Sequence, residues 1–238
     1  TCETFLKTGG ASVKGRVRFN SLREQLFAVI REAILTNKYV PGEELQIDKL
    51  ASEFGVSTTP VREALVRLEG VGLVRLTPNR GAQVTEITLE DVRDVWEVRR
   101  LLEPYAAKTA ALNCSPEELD ELQEKLEQVL AETDNFSAYM ESDLALHDLL
   151  AKYVTNKELA DIMDRVKEHS LRIRYFAEEN SLKLRKEVIQ QATREHLEIV
   201  AALRERDPAK VAQLVFGHLV SGEERTLEGV RSKGSNNT

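Results

Sequence analysis

Hydrophobic positions divide the chain into two parts with different periodicities. Up to about residue 85, a helical pattern is followed by two shorter helical patterns and two alternating, strand-like ones. Beyond it, apolar residues recur every three or four positions in six segments separated by caps and helix breakers. These segments predict helices over residues 88–112, 116–132, 136–153, 157–178, 182–205 and 208–227. The predicted fold class is therefore mainly α, with a small N-terminal domain followed by an all-helical bundle.

The N-terminal part is centred on two short helices joined by a tight turn. In the first helix, Leu50, Ala51 and Phe54 share one face. Gly55 follows where that helix ends, because glycine enters the left-handed conformation without steric cost. Ser57 is placed to cap the second helix. The buried side of the second helix is predicted to consist of Val61, Ala64, Leu65 and Leu68.

The opposite side of the second helix and two predicted strands complete this unit. The residues on that side or its flanks are Thr59, Arg62, Glu63, Val66 and Arg67. After Gly70 and Gly72, the segments LVRL and AQVT alternate around the turn TPNRG. Two helices followed by a two-stranded wing indicate a winged helix-turn-helix, which lays its second helix in the major groove of DNA. A preceding helix has a capping-box pattern at Ser21 and Glu24 and a predicted buried stripe of Leu22, Leu26, Val29, Ile30 and Ala33.

The charge is distributed unevenly between the two parts. The whole chain carries a formal net charge of −7, but residues 1–86 hold 12 Lys and Arg against 10 Asp and Glu. Only this part is suited to DNA phosphates, and its small excess predicts weak binding by a single copy. Two cysteines, no apolar run long enough for a membrane span and no signal-peptide pattern predict a cytoplasmic protein with no membrane partner.

Several polar residues lie within the predicted apolar stripes of the bundle. Arg99 interrupts the stripe of its helix, and a buried guanidinium requires an anion from the protein or from a ligand. Asp143 and His147 lie four residues apart on one helical face. His196 and His218 are equally distant from the helix break at residue 207, so an antiparallel hairpin would bring them face to face.

These inward-facing side chains have two interpretations. A single buried histidine is usually a hydrogen-bonded core residue, whereas Asp143, His147, His196 and His218 together offer the nitrogen and carboxylate ligands of a divalent metal ion. Zinc, nickel, manganese and iron all suit such a set, and spacing alone leaves both interpretations open. His169 is predicted to be structural or to line a pocket. The arginines of the segment LRIRYF are predicted to lie on a solvated or interface face.

Two stretches also resemble known families. The segment PGEELQIDKLASEFGVSTTPVREALVRLEGVGLVRLTPNRGAQV is similar to the DNA-binding domain of the GntR family of bacterial regulators. The resemblance implies DNA contacts by Ser57, Thr59, Arg62, Arg80 and Gly81. Arg67, on the outward side or flank of the same helix, is predicted in addition to contact a phosphate or a base. Thr58 stands where the family commonly has arginine, and Asp48 where some members carry a DNA-contacting arginine. Both departures remove positive charge, so the resemblance implies a different operator or weaker binding.

The segments WEVRRLLEPYAA, DLALHDLLAKYVTNKEL, REHLEIVAALRERD and FGHL resemble the FCD effector-binding domain of the FadR subfamily of GntR regulators. In metal-binding members an aspartate and three histidines hold a divalent ion, and these positions correspond to Asp143, His147, His196 and His218. The family's cavity arginine corresponds to Arg99. The resemblance therefore implies a metal ion, most often zinc or nickel, and a small carboxylate effector that contacts the ion and Arg99.

The resulting hypothesis is a ligand-responsive transcriptional regulator that binds a palindromic operator as a homodimer. The predicted organisation is a flexible tail over 1–18, a winged helix-turn-helix over 19–85, a linker over 86–90 and an effector-binding and dimerisation domain over 91–230. One alternative is a metal sensor in which the ion is the signal. The other is a metal-dependent enzyme with a DNA-binding appendage, which we consider weaker because no carboxylate is evidently placed as a general base beside His147 or His218.

Overall fold

The computed structural model describes residues 21–78, 81–178 and 182–234. The predicted tail over 1–18 and the predicted DNA contact Arg80 lie outside these residues. In chain order the described elements are α1 (Leu22–Leu35), β1 (Glu44–Gln46), α2 (Ile47–Phe54), α3 (Thr58–Gly70), β2 (Val74–Thr77), β3 (Gly81–Val84), α4 (Leu89–Asn113), α5 (Pro116–Ala131), α6 (Phe136–Lys152), α7 (Lys157–Glu178), α8 (Leu182–Glu205) and α9 (Pro208–Gly234).

The N-terminal domain is a winged helix-turn-helix with one strand more than predicted. An antiparallel sheet in the order β1-β3-β2 packs beside α1, α2 and α3. The segment ELQ of β1 is too short to alternate detectably, which is why sequence periodicity did not reveal it. Gly81 begins β3 at φ +129°, and a Cβ there would lie 2.1 Å from the carbonyl oxygen of Leu45 in β1. The close pairing of β3 with β1 therefore requires glycine at residue 81.

The core of this domain confirms the predicted face of α3. The four residues predicted to be buried, Val61, Ala64, Leu65 and Leu68, are each fully buried. Gly55 ends α2 in the left-handed conformation, as predicted. The predicted stripe of α1 is partly wrong, because Leu22 and Val29 are about half exposed while Ile34 and Leu35 are buried instead. The buried face of α1 therefore extends through Ile34 and Leu35 to the end of the helix and excludes Leu22 and Val29.

The C-terminal part is a bundle of six helices that begin and end close to the predicted positions. α4 starts at Leu89, capped by Thr88, so the second half of the predicted linker 86–90 already belongs to the bundle. α9 continues past the predicted end at residue 227 to Gly234. α4 and α9 pack side by side, and an ion pair between Arg100 and Glu223 joins them. Among the described residues, no helix is both long and apolar enough to cross a membrane.

Helices α8 and α9 form the antiparallel hairpin that the sequence predicted. Asp207 lies at the turn, where its side chain accepts hydrogen bonds from the backbone N–H groups of Ala209 and Lys210 at 3.0 and 3.1 Å. Arg206 has a left-handed backbone, φ 55°, directly before the turn. Leu203 on α8 and Val211 on α9 belong to the same buried cluster on either side of it. Residues of α8 and α9 that are equally distant from the turn in sequence therefore lie at the same height along the hairpin.

Two predictions for the bundle are wrong in part. The arginines of LRIRYF do not lie on a solvated face, because Arg172 and Arg174 on α7 are both buried, but Arg172 does lie at an interface, where it binds Thr85. The periodicity of helix 136–153 also predicts a buried stripe of Met140, Leu144, Leu150, Ala151 and Val154, and of these Leu144, Ala151 and Val154 are only half-buried. Leu144 and Ala151 face a cavity between α4, α6 and α7 rather than the packed core.

Candidate functional site

Four side chains from three helices converge at the centre of the bundle. Asp143 and His147 come from α6, His196 from α8 and His218 from α9. One ligand atom of each lies within 4.8 Å of those of the others. The Nε2 atoms of His196 and His218 are 3.2 Å apart, and the Asp143 Oδ1 lies 3.4 Å from His196 Nε2 and 3.8 Å from His147 Nε2. The predicted contact across the α8–α9 hairpin is confirmed.

The charge state of this cluster suits metal binding. Burial lowers the pKa of His196 well below its usual value, and the neighbouring His218 lowers it further. Burial also lowers the pKa of His218, although Glu195 opposes the shift. Burial alone would raise the pKa of Asp143, but Arg174 and the imidazoles lower it more. Neutral imidazoles with free lone pairs and one ionised carboxylate are the protonation states in which these residues bind divalent metals.

The donor set therefore fits a divalent ion. Three imidazole nitrogens and one carboxylate oxygen are borderline to hard ligands, a set that zinc, nickel, manganese and iron accept. The Nδ1 of His196 is buried without a hydrogen-bond partner among the described residues. The atom of His196 that faces His218 and Asp143 is the other ring nitrogen, Nε2, so Nε2 is the atom that could bind an ion together with them.

Glu195, which was not predicted from the sequence, contacts His218 on the side of the ring that faces away from His196. Glu195 Oε2 lies 2.7 Å from His218 Nδ1, and Arg225 donates to both Glu195 oxygens at 2.9 and 3.0 Å. Burial raises the pKa of Glu195, but hydrogen bonds with His218 and Arg225 lower it to about 2. An ionised carboxylate at Nδ1 fixes the tautomer in which Nε2 is the free ligand atom. Glu195 directly precedes His196, and adjacent residues of a helix do not share a face. Helical spacing therefore did not predict that Glu195 contacts His218.

A second missed carboxylate lies between Arg99 and His147. Glu103 Oε1 lies 2.5 Å from Arg99 Nε, and Glu103 Oε2 lies 2.6 Å from His147 Nδ1. Burial would raise the pKa of Glu103, but Arg99 and His147 lower it more strongly. The anion required by the buried Arg99 is thus a protein carboxylate. Glu103 and Glu195 therefore lie beside His147 and His218, although neither was singled out as a general base, and the i, i+4 spacing of Arg99 and Glu103 could have revealed the first of them.

Both of these carboxylates touch the Nδ1 atoms of the imidazoles. Glu195 is hydrogen-bonded to His218 and so orients its ring, whereas Glu103 lies beside His147 as an ion-pair partner, since its Oε2 has no partner with hydrogen-bond geometry among the described residues. Neither takes part in the close contacts among the Nε2 atoms of His196 and His218 and the Asp143 carboxylate. Their geometry is that of supporting groups behind the ligands.

Arg99 and Arg174 border the cluster on the side of a cavity between α4, α6 and α7. Arg99 Nη1 donates to Ser170 Oγ at 2.9 Å, and its Nη2 lies 3.1 Å from His147 Nε2. Arg174 pairs with Asp143 and donates to the hydroxyl of Tyr139 at 3.0 Å. The sequence does not predict that Arg174 pairs with Asp143, because this contact depends on how α7 is rotated against α6. His169 is exposed and does not line this cavity, contrary to the second part of its prediction.

Helix α7 also contacts the N-terminal domain. Arg172, two residues from both Ser170 and Arg174, donates to the Thr85 hydroxyl at 2.9 Å and binds the Thr85 carbonyl oxygen. Burial lowers the pKa of Arg172 to about 10, so the guanidinium stays charged at neutral pH. Glu168 forms an ion pair with Arg31 of α1. One helix therefore connects the polar cluster with the segment between the two domains.

The predicted DNA contacts lie on an exposed face of the N-terminal domain. Ser57 is the N-cap residue of α3, but its side chain makes no capping hydrogen bond. Thr59 and Arg62 are exposed on the first two turns. Arg67 is also exposed and holds its guanidinium 4.3 Å from the ring centre of Phe27. Gly81 is buried in the sheet. The other described residues among the predicted DNA contacts lie on the exposed face of α3 or at its N-terminus.

Comparisons with known proteins agree with this two-part architecture. Residues 22–84 match the family described as bacterial regulatory proteins, gntR family, and residues 94–221 match the FCD domain. The HTH-type transcriptional repressor RspR of Escherichia coli (strain K12) is 27% identical over 200 residues, which cover 83% of this chain and 86% of the repressor.

Solved structures show the same fold. Escherichia coli McbR/YncC superposes with a TM-score of 0.72 at 22% identity, over 85% of this chain and 95% of that one. A structure described as the metal-free FCD domain of TM0439 gives a TM-score of 0.53 at 18% identity, over 61% of this chain and 98% of that one. The chain is therefore a transcriptional regulator of the gntR family, with a gntR-type DNA-binding domain followed by an FCD domain.

Proposed function

We propose that this protein is a regulator of the FadR subfamily that binds a palindromic operator as a homodimer and responds to a small carboxylate. Asp143, His147, His196 and His218 hold a divalent metal ion, and the effector binds to that ion and to Arg99. The observation that carries the proposal is the convergence of four ligand atoms within 4.8 Å in the interior of the bundle.

Zinc and nickel are the first candidates for the metal ion and manganese and iron the alternatives, since three imidazoles and one carboxylate suit all four. The ion supplies a Lewis-acidic position for an anionic ligand. Glu195 keeps the His218 ring oriented, Glu103 pairs with His147, and Arg174 holds Asp143 ionised. The description of one relative as a metal-free FCD domain is consistent with a domain class that can carry metal.

The exposed face of α3 is the surface that reads DNA. Thr59 and Arg62 reach base edges in the major groove, Ser57 and Arg67 contact the phosphate backbone or a base, and Arg80 with Gly81 brings the wing tip to the adjacent backbone or minor groove. Regulators with this DNA-binding domain often function as dimers, and a two-fold symmetric operator presents one half-site to each copy. A regulator of chromosomal genes works in the cytoplasm.

An exposed apolar face on α4 and α9 is suited to dimerisation. Leu101, Tyr105 and Leu112 of α4 are exposed by 68, 60 and 58%, and Phe216 and Val220 are exposed on the neighbouring α9. Contiguous apolar surface of this kind marks interaction sites in soluble proteins.

The charges on α4 fit a second copy of the same surface. In an antiparallel two-fold pairing centred near residue 103, Leu101 of one copy faces Tyr105 of the other. Glu97 then lies within one residue of the height of the partner copy's Lys108, and both residues are exposed. The face is therefore complementary to itself, as an isologous interface requires.

Helix α7 is the physical connection between the cavity and the DNA-binding domain. Ser170 touches Arg99, Arg174 touches Asp143, and Arg172 binds Thr85 between the domains. An effector that displaces Ser170 from Arg99 shifts α7 and, through Arg172, the position of the N-terminal domain. A differential affinity of about 1–3 kcal/mol for the two arrangements is enough to change operator binding usefully.

Two alternatives lead to different measurements. If the ion alone is the signal, chelation changes DNA affinity in the absence of any organic acid. A metal-dependent enzyme would convert the bound carboxylate, but Glu103 and Glu195 are engaged with imidazole Nδ1 atoms, and RspR is named as a transcriptional repressor. Incubation of the zinc-loaded protein with a bound acid, followed by product analysis, tests the enzyme hypothesis.

The decisive experiment selects an operator from a randomised DNA pool with the full-length protein and measures its affinity by fluorescence anisotropy. The measurement is made on metal-free protein, on zinc-loaded protein and on zinc-loaded protein with a mixture of acetate, butyrate and succinate. The proposal expects a two-fold symmetric site and a change in affinity that requires both zinc and the acids. A change with zinc alone favours the metal sensor. An unsymmetric site, or no response under any condition, contradicts the proposal.

A further inference from the structure

The cavity beside the metal cluster has two chemically different ends. Its inner end carries Arg99, His147 and Ser170, next to the Asp143–Arg174 pair. Its side walls are apolar and come from three helices. They consist of Leu102, Leu144, Ala151, Met163, Val166 and Leu171. A ligand held at the inner end must therefore place the rest of its body against hydrocarbon.

The inner end provides one position for an anion. Arg174 is engaged by the ionised Asp143 and by the Tyr139 hydroxyl. Arg99 is neutralised at Nε by Glu103, whereas its two terminal nitrogens contact neutral or weakly basic partners, the Ser170 hydroxyl and the imidazole of His147. A carboxylate that replaces these partners forms stronger, charge-assisted hydrogen bonds. The inner end therefore fits one carboxylate.

The outer end disfavours a second carboxylate. Lys167 lies there between Asp148 and Asp164, with its Nζ 2.8 and 3.4 Å from their carboxylate oxygens. The side chains of both aspartates are well exposed, at 47 and 70%. One cation shared by two anions leaves this end with a net negative charge, which repels an anion at the far end of a ligand.

We infer that the effector is a monocarboxylate with an unbranched or lightly branched hydrocarbon body, rather than a di- or tricarboxylate. The inference rests on the proposed function and specifies its effector class. Each methylene added to the body becomes buried against the apolar walls, which raises affinity about threefold to fourfold per methylene until the tail reaches the outer end. Succinate has the carbon count of butyrate but carries a second carboxylate into the apolar walls or toward the negatively charged outer end.

Isothermal titration calorimetry of the full-length, zinc-loaded protein tests this inference with acetate, butyrate, hexanoate and succinate. Affinity should rise from acetate to hexanoate, and succinate should bind at least tenfold more weakly than butyrate. Met163→Gln should weaken hexanoate binding about tenfold and leave acetate binding unchanged. Ile162→Gln is the matched control, because Ile162 is the adjacent residue, is 38% exposed and does not line the cavity.

A variant at the outer end of the cavity tests whether negative charge, rather than the shape of the cavity, disfavours succinate. Asp164→Asn removes one of the two anions, so it should narrow the difference between butyrate and succinate by several-fold without changing acetate binding. Succinate binding as tightly as butyrate in the unmodified protein, or affinity that does not depend on chain length, would overturn the inference. Either outcome would leave the metal site and the operator response intact, whereas failure of the proposed function appears as loss of zinc binding or of DNA binding themselves.

Discussion

Replacement of Glu195 by glutamine tests whether His218 is a metal ligand through Nε2. Glu195 accepts from His218 Nδ1 at 2.7 Å and from Arg225 at 2.9 and 3.0 Å, so three N–H donors converge on two carboxylate oxygens. Glutamine keeps the size of the side chain but has one oxygen, and its NH₂ group faces a donor wherever it is turned. Either His218 or Arg225 then loses its acceptor.

The magnitude follows from the kind of hydrogen bond that is lost. A hydrogen bond to a charged group contributes about 1.5–3 kcal/mol, and a neutral one about 0.5–1.5 kcal/mol. The substitution should therefore cost about 1–2 kcal/mol, which corresponds to roughly 5- to 30-fold in zinc affinity. This value overlaps the loss of about 10- to 100-fold that follows removal of groups supporting metal-bound histidines.

The assay is competition for zinc between the purified protein and a chromophoric chelator at neutral pH. Glu198→Gln is the matched control, because Glu198 lies on the same helix, one turn away, and is exposed. Thermal unfolding of the metal-free variants verifies that both are folded. Equal zinc affinity for Glu195→Gln and Glu198→Gln would refute the reasoning, since it would mean that the orientation of His218 does not matter for metal binding.

Three further predictions concern other parts of the molecule. His196→Ala should lower both the bound zinc and the melting temperature, because it opens the buried cluster; unchanged values in metal analysis and calorimetry would exclude His196 as a ligand. Leu101→Glu should weaken the dimer by at least about 100-fold in sedimentation equilibrium, because it buries an unpaired charge, whereas Val40→Glu, at a similarly exposed position in the other domain, should not. Arg172→Met should keep zinc affinity but reduce the effect of butyrate on operator affinity in anisotropy titrations; a full response would show that α7 does not transmit the signal through Thr85.

Much of the polar cluster could be predicted because its members follow simple helical geometry. Asp143 and His147 are neighbours by their i, i+4 spacing, and His196 and His218 face each other because a single break at Asp207 fixes the heights of α8 and α9. These relations depend only on the period of the helix and the position of the turn. The buried face of α3 was predictable for the same reason.

The supporting residues could not be predicted in this way. Glu195 and Arg174 meet their partners only because α8, α9, α6 and α7 are rotated about their axes by the packing of the whole bundle. Single-helix periodicity carries no information about that rotation, so the arginines of α7 could be assigned only to a solvated or interface face. Strand β1 was not predicted, because it has three residues and its partner β3 lies far away in the sequence, so no periodic pattern marks it.

The proposed metal site of Asp143, His147, His196 and His218 can be tested on the intact protein. Native mass spectrometry of protein purified without chelator is compared with that of the His147→Ala/His218→Ala variant. We expect one ion per chain and two per dimer in the unmodified protein, and none in the variant after mixing with stoichiometric zinc. An unmodified protein that takes up no ion under these conditions, or a variant that retains it, would show that these four residues do not hold a metal ion.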